Sequence, residues 1–206
     1  MSASALLASL YDLILWPAER SWLTESRRAL VRGAKGRVLE IGAGDGRNLP
    51  HYALSADPAL HLELVEPDRH MRAKMTARAR EAGVDVVDAK AEALPYRDAS
   101  FDTVVATLVL CSVRDPTRAL AEIRRVLKPG GRLLFLEHVR GEGARARTQD
   151  RHDALWSRVM GGCHLNRDTP TSIRAAGLAV DSLERFEPRW WPDFVGPIAV
   201  GVARRA

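Results

Sequence analysis

Cysteine is scarce in this chain of 206 residues, which contains only Cys111 and Cys163. Two cysteines so far apart do not make the disulfide framework of a small secreted domain. They have no C-x-x-C spacing, and no run of histidine and cysteine has the spacing of a zinc site. The sequence therefore predicts no bound metal.

Long apolar runs are missing as well, and none approaches the length of a membrane-spanning helix. Residues 1–16 have no basic start and are interrupted by Asp12, which argues against a signal peptide. We expect a cytoplasmic protein. Shallow attachment of residues 1–15 to a membrane stays open but is not indicated, since their polar face is not rich in lysine or arginine.

Lysine is also rare, although the formal net charge is +5. Among 31 basic residues the only lysines are Lys35, Lys74, Lys90 and Lys128. An arginine-rich genome explains this composition without any function, and a basic surface for nucleic acid or an anionic membrane is the alternative. The basic residues are scattered and lack the arginine–aromatic pattern of nucleic-acid binders, so we expect no nucleic-acid partner.

Glycine is concentrated where an apolar run ends. Residues 38–46 read Val-Leu-Glu-Ile-Gly-Ala-Gly-Asp-Gly, which places Gly42, Gly44 and Gly46 at alternate positions after a buried strand. Glycine permits positive φ and lets a ligand lie against bare backbone. A dinucleotide site needs its third glycine where Arg47 stands, which disfavours NAD and a dehydrogenase. A glycine-rich turn without a ligand is the plainer alternative.

A second acidic position follows about twenty residues later. Leu62 to Val65 reads as a strand that ends at Glu66, and a carboxylate there can accept hydrogen bonds from both hydroxyls of a ribose. Asp68 precedes the helical pattern 69–82 and is interpreted as its N-cap, with a contact near an adenine as the alternative.

The remaining pattern alternates strands with helices. Strands are predicted near 37–41, 61–66, 84–88, 102–107, 132–138, 178–186 and 196–203, and helices near 46–54, 69–82, 116–127 and 149–160. Residues 4–32 read as two helices interrupted at Pro17. This alternation predicts one α/β domain with a mostly parallel sheet and helices on both faces.

The motif E-x-G-x-G-x-G at residues 40–46 resembles the first motif of class I S-adenosylmethionine (SAM) methyltransferases. Residues 90–105, with Ala91-Glu92-Ala93-Leu94-Pro95-Tyr96 and Ser100-Phe101-Asp102, resemble the subgroup that methylates ubiquinone and menaquinone. Lys128-Pro129-Gly130-Gly131 is a turn frequent in the same enzymes. The resemblance implies a three-layer Rossmann-like fold with a seven-stranded sheet, SAM as cofactor and a small-molecule acceptor.

The resemblance also implies which residues contact the cofactor. Ala91 offers a backbone N–H to adenine and Glu92 lines the pocket, while Lys90 stands where the family has an acid, so Asp88 or Glu92 would replace that contact. In such enzymes a leading helical segment covers the cofactor, with Tyr11 as a contact, and packing on the sheet edge is the alternative. The other implied cofactor residues are Glu40, Gly42, Ala43, Gly44, Gly46, Asn48, Glu66, Pro67, Thr107 and Leu108.

A narrower resemblance concerns the acceptor. Residues 107–113, 136–139, 153–156 and 161–169 look like animal methyltransferase-like proteins that methylate alkyl thiols. The resemblance implies a thiol acceptor, with O-, N- or C-methylation of a quinone, phospholipid headgroup or secondary metabolite as the alternative. The substrate-side residues it implies are Cys111, Ser112, Cys163 and His164.

His138 is the candidate general base. It ends the predicted strand 132–138, so its ring should reach the carboxyl edge of the sheet, and its ordinary pKa suits proton removal near neutrality. A histidine that anchors the following segment by hydrogen bonding is the alternative. Its neighbour Glu137 should face another direction, since strand side chains alternate.

We divide the single domain, residues 1–206, into four segments. These are an N-terminal helical lid at 1–34, a SAM-binding core at 35–138, an acceptor-side insertion at 139–170 and C-terminal strands at 171–206. The sequence leaves the oligomeric state open.

Overall fold

A computed structural model describes residues 13–188, 192 and 194–206 of the chain. Its centre is a seven-stranded sheet in the order β3-β2-β1-β4-β5-β7-β6. The strands are β1 Arg37–Ile41, β2 His61–Val65, β3 Asp85–Val87, β4 Phe101–Thr107, β5 Leu127–His138, β6 Leu178–Phe186 and β7 Ile198–Arg205. The first five strands pair in parallel, and β7 lies antiparallel between β5 and β6. The predicted fold class is confirmed.

In the described part of the chain, five α-helices follow residue 23 and connect or flank the strands. They are α1 Thr24–Val31, α2 Arg69–Glu81, α3 Pro116–Val126, α4 Gly143–Val159 and α5 Thr169–Ala175. The carboxylate of Asp68 accepts from the backbone N–H of His70 and Met71 at the start of α2, at 2.8 and 3.0 Å. The predicted N-cap is therefore confirmed, and it satisfies donors that have no partner within the helix.

Alternate residues of each central strand face opposite sides of the sheet, and both sides are buried. Val104 of β4 packs into a core cluster with Leu120 and Ile123 of α3. Its neighbour Val105 packs on the other side with Met75 of α2 and Leu30 of α1. Helices therefore cover both faces of a sheet whose strands are nearly continuous apolar runs, as parallel sheets require.

The helix predicted near 46–54 is wrong. The chain instead forms turns and a short 3₁₀ segment, Leu49–His51. Gly46 has a φ of +81° and Pro50 has no N–H to donate, so neither supports an α-helix here. The side chains of Asn48 and Tyr52 turn inward to Glu40, which stabilises the turn.

The helical segments at the two ends of the core also differ from their predictions. Residues 13–18 are helical and continue through a π-helical turn, Glu19–Leu23, into α1, so Pro17 does not separate two helices. Pro17 removes one backbone donor, and a widened turn beside it is a known way to absorb such a defect. α4 begins at Gly143, six residues before the predicted start at 149, and no described helix is long and apolar enough to cross a membrane.

Candidate active site

The turn after β1 has left-handed backbone at all three glycines. The φ angles of Gly42, Gly44 and Gly46 are +59°, +59° and +81°. A Cβ at Gly42 would lie 2.2 Å from the Cγ2 atom of Val109, whereas a Cβ at Gly44 would meet no described atom within 4 Å. Gly42 is therefore required by packing, and Gly44 leaves bare backbone beside open space.

Glu66 follows the last residue of β2, and its carboxylate accepts hydrogen bonds from the backbone of this turn and of the residues after β2. Its Oε2 accepts from the backbone N–H of Gly44 at 2.8 Å, and its Oε1 accepts from the N–H of Asp68 at 2.8 Å. Burial raises the pKa of the Glu66 carboxyl, and the two backbone hydrogen bonds oppose that rise. The carboxylate is thus held at the rim of the turn, where it can accept further hydrogen bonds.

A cavity of about 420 Å³ opens beside Gly44 and Glu66. Seven of the residues predicted to contact the cofactor line it: Gly42, Gly44, Glu66, Pro67, Ala91, Glu92 and Leu108. The end of α4 forms another wall through Arg158, Val159, Met160 and Gly161. None of the described residues of the predicted lid, 13–34, lines the cavity, and Tyr11 lies outside the described residues.

The loop at 88–92 differs in detail from the family pattern. The Glu92 carboxylate accepts from the backbone N–H of Arg114 at 2.8 Å, so it also holds the loop before α3. Asp88, considered as a substitute contact for adenine, is bonded by the guanidinium of Arg72 at 2.7 Å and does not line the cavity. Lys90 does line it, in the position where the family has an acid.

Three of the predicted cofactor residues form a buried hydrogen-bond network below the turn and do not line the cavity. The Glu40 carboxylate accepts from the hydroxyl of Tyr52 at 2.7 Å and from the amide of Asn48 at 3.0 Å. Asn48 also donates to the Thr107 hydroxyl at 2.9 Å. The guanidinium of Arg27 donates to both Asn48 and Thr107, at 3.1 and 3.0 Å. Neither Arg27 nor Tyr52 lies in a sequence motif, so no signal in the sequence indicates their place in this network.

Glu40 should make stability depend on pH. Burial raises the pKa of its carboxyl from 4.5 to about 7. The unfolded chain therefore releases this proton at lower pH than the folded chain, so the group destabilises the fold as pH rises. Between pH 5 and pH 7 the wild-type free energy of unfolding should fall by about 2 kcal/mol through Glu40.

Glu40→Gln should lack this loss, because the amide does not titrate. Denaturant unfolding of both proteins at several pH values measures the difference, and it cancels the contributions of Glu66 and Glu137, which both proteins share. An unfolding-energy difference that stays constant from pH 5 to pH 7 would contradict the raised pKa of Glu40.

Glu137 and His138 end β5 and point in different directions, as predicted. The Glu137 carboxylate accepts from the backbone N–H groups of Val109, Leu110 and Cys111 at 2.8–3.2 Å. Burial raises the pKa of Glu137, and these three donors oppose that rise. Glu137 therefore fixes the loop after β4, part of which lines the cavity through Leu108, Val109 and Ser112.

His138 contacts Cys163 and does not line the cavity. It is 3% exposed, and its Nε2 lies 2.7 Å from the Cys163 sulfur, which also accepts from the indole N–H of Trp156 at 3.3 Å. Burial lowers the pKa of His138, but Cys163 and Glu137 together outweigh it and the net pKa is raised. A hydrogen bond from the Cys111 thiol, aided by His138, holds the pKa of Cys163 well below its usual range.

Of the four predicted substrate-side residues, only Ser112 lines the cavity. Cys111 is buried behind it, and the ring of His164 turns to the carboxylate of Asp153 at 2.8 Å. The backbone N–H of His164 donates to the carbonyl of Cys111 at 2.8 Å, which ties the insertion to the loop after β4. The structure thus brings Cys111, His138 and Cys163 together just outside the cavity wall.

A mostly parallel sheet with this strand order, a glycine turn after β1 and an acid after β2 is the arrangement of α/β enzymes that bind a nucleotide-type cofactor at the carboxyl ends of their strands. The protein family described as "Methyltransferase domain" matches residues 39–135. The human protein "Thiol S-methyltransferase TMT1B" is 34% identical in an alignment that covers 92% of this chain and 82% of that protein.

A second relative and a solved structure are also similar to this chain. Human "Thiol S-methyltransferase TMT1A" is 32% identical, with 83% of this chain and 72% of that protein covered. A SAM-dependent methyltransferase from Thermotoga maritima, described as a possible histamine N-methyltransferase, has the same fold, with a TM-score of 0.72, 24% identity and 99% of each chain covered. The chain belongs to the SAM-dependent methyltransferase family. It is an enzyme, SAM is its cofactor, and its methyl acceptor is a small molecule.

Proposed function

We propose that this enzyme methylates the sulfur of a small thiol. The observation that carries the proposal is the identity of 32–36% to thiol S-methyltransferases over at least 83% of the chain. That similarity includes the insertion, residues 139–170, and the end of α4 supplies four of the residues that line the cavity. We therefore propose that the insertion forms the acceptor side of the site.

The residues around the cavity fit the cofactor. Gly44 leaves space for a ligand at bare backbone, and the Glu66 carboxylate, with backbone donors already on both oxygens, keeps lone pairs for ribose hydroxyls. Ala91, Glu92 and Lys90 form the wall where the resemblance puts adenine. When bound, SAM supplies an activated methyl group on a sulfonium. The chain's own task is to orient the acceptor and exclude water.

A thiol suits a site that has no carboxylate or imidazole free to act as a strong base within its described wall. Glu66, Asp68 and Glu92 are the acids that line the cavity, and all three accept hydrogen bonds from backbone N–H groups. A free thiol has a pKa of about 8.5, so a fraction is thiolate at neutral pH. An alcohol is almost fully protonated at neutral pH, so its methylation would need a strong general base. That His138 is a general base stays a prediction, as does the cytoplasmic location.

Mass spectrometry of reactions with SAM and a panel of thiols, phenols, amines and lipids tests the proposal. We expect an S-methylated product from at least one alkyl thiol and no methylated product from the phenols, amines or lipids. Calorimetry first establishes that the protein sample binds SAM. The lack of a methylated product then means that the acceptor is not a substrate, because the cofactor is known to bind. Methylation of a phenol, quinone or amine with no thiol product would overturn S-methylation and favour the alternative acceptors.

A further inference from the structure

Three side chains with nitrogen or sulfur donors meet beside the cavity although they are far apart in sequence. The donor atoms of Cys111, His138 and Cys163 all lie within 4.8 Å of one another. Zinc bonds of about 2.3 Å to sulfur and 2.0 Å to nitrogen place tetrahedral ligands roughly 3.5–3.8 Å apart. One ion at the centre of this cluster therefore reaches all three donors with small side-chain shifts.

The three donors come from three elements whose positions are fixed by other contacts. Cys111 lies in the loop after β4, where its N–H donates to Glu137 at 3.2 Å and its carbonyl accepts from His164 at 2.8 Å. His138 ends β5, which is paired on both sides. The N–H of Cys163, after α4, donates to the carbonyl of Met160 at 3.2 Å. The backbone thus presents a donor set that does not depend on a flexible chain end.

The kind and number of donors select the ion and its role. Two sulfurs and one imidazole, with no carboxylate in the cluster, suit zinc better than magnesium or calcium. The indole N–H of Trp156 donates to the Cys163 sulfur at 3.3 Å, as an outer group that supports a ligand. Three protein ligands leave the fourth position of a tetrahedral ion open, which is the pattern of zinc sites that bind substrate.

The cluster lies next to residues that line the cavity. Ser112 and Gly161 line the cavity and stand one and two residues from Cys111 and Cys163. The two segments are packed together there, since a Cβ at Gly162 would lie 3.1 Å from the carbonyl oxygen of Ser112. A small acceptor in the cavity would reach the cluster at this junction of the two segments.

We infer that Cys111, His138 and Cys163 bind one zinc ion, and that its fourth position takes the sulfur of the acceptor. The second part rests on the proposed thiol methylation. The acceptor S–H bond breaks when the sulfur binds the ion, and the proton goes to water. A lone pair of that sulfur then forms the new S–CH₃ bond, while the electron pair of the broken sulfonium C–S bond stays on the cofactor sulfur. The neutral thioether product is a weaker ligand and leaves.

Zinc binding by the full chain tests the first part. Protein freed of metal by a chelator and kept reduced with a phosphine is titrated with Zn²⁺ against a chromophoric competitor. We expect one ion per chain, and Cys111→Ser, Cys163→Ser and His138→Asn should each weaken binding by about 100-fold or more. His61→Asn is the matched control, because His61 is exposed at the start of β2 and should bind zinc as the wild type does.

A wild-type chain that holds no zinc, or cysteine variants that hold as much as the wild type, would overturn the site. Cys111 is buried, so its serine variant is vulnerable to misfolding. A second test therefore uses only the wild-type protein, to which Co²⁺ is added in place of zinc. Sulfur-to-cobalt charge-transfer absorption with tetrahedral ligand-field bands is the expected signature, and its absence rejects the site without any variant.

Methyl transfer by metal-free and zinc-loaded protein tests the second part. Thiol methylation should fall by about 100-fold without zinc and return when zinc is added. Full thiol methylation by metal-free protein would remove the ion from the reaction and leave the proposed function intact. Zinc binding with no thiol product on the panel would leave the metal site standing and reject the proposed function.

Discussion

Replacing Glu66 by alanine is expected to weaken SAM binding by about 1000-fold. The carboxylate is positioned by the N–H groups of Gly44 and Asp68, each at 2.8 Å, and it is the acid that the family resemblance assigns to the two ribose hydroxyls. Hydrogen bonds to a charged group contribute about 1.5–3 kcal/mol each. Loss of two such bonds therefore costs about 4 kcal/mol or more, which corresponds to roughly three orders of magnitude in affinity.

Calorimetric titration of SAM into wild type, Glu66→Ala and Glu66→Gln measures this effect. The Glu66→Gln variant keeps the shape of the side chain but removes its negative charge. Its amide oxygen can still accept one hydrogen bond, whereas its NH₂ group faces a backbone N–H that it cannot accept from. Glu81→Gln is the control, because Glu81 is an exposed acid on α2. Thermal unfolding is recorded for each variant. SAM affinity within tenfold of wild type in a folded Glu66→Ala protein would remove Glu66 from the cofactor site.

The sequence predicts those parts of the site whose structure depends on residues a few positions away in the chain. Gly42, Gly44 and Glu66 each follow a short apolar run, and both the left-handed turn and the strand-end acid depend on neighbours in sequence. The same holds for Asp68, whose cap involves residues two and three positions later. In such cases the physical cause and its signal lie within the same few residues.

The features that sequence could not predict depend on contacts between distant segments. The spacings from Cys111 to His138 and from His138 to Cys163 match no metal motif, and only the parallel packing of β4 beside β5 brings the first two together. The interaction of Arg27 with Asn48 and Thr107 joins α1 to the turn and to β4, and no periodicity records it. The helix predicted at 46–54 failed for the same reason, since Glu40 draws Asn48 and Tyr52 inward.

Gly42→Ala and Gly44→Ala should have very different effects on stability, although the two glycines share a φ of +59°. An alanine at this φ costs about 1–2 kcal/mol at either position. At Gly42 the new Cβ would also lie 2.2 Å from Val109 Cγ2 and 2.8 Å from its Cβ. Overpacking of this kind adds about 1–3 kcal/mol, so we expect Gly42→Ala to lower the free energy of unfolding by about 4 kcal/mol.

Urea unfolding of both variants, with SAM titration of the folded ones, measures the difference. Gly44→Ala should stay folded, lose about 1–2 kcal/mol, and bind SAM more weakly because its methyl group enters the cavity. Val109→Ala in the Gly42→Ala background removes the nearest clashing atom and should recover part of the lost stability, as a double-mutant cycle would show. Equal destabilisation of the two single variants would mean that backbone strain alone acts here, and that the turn does not pack against Val109 as described.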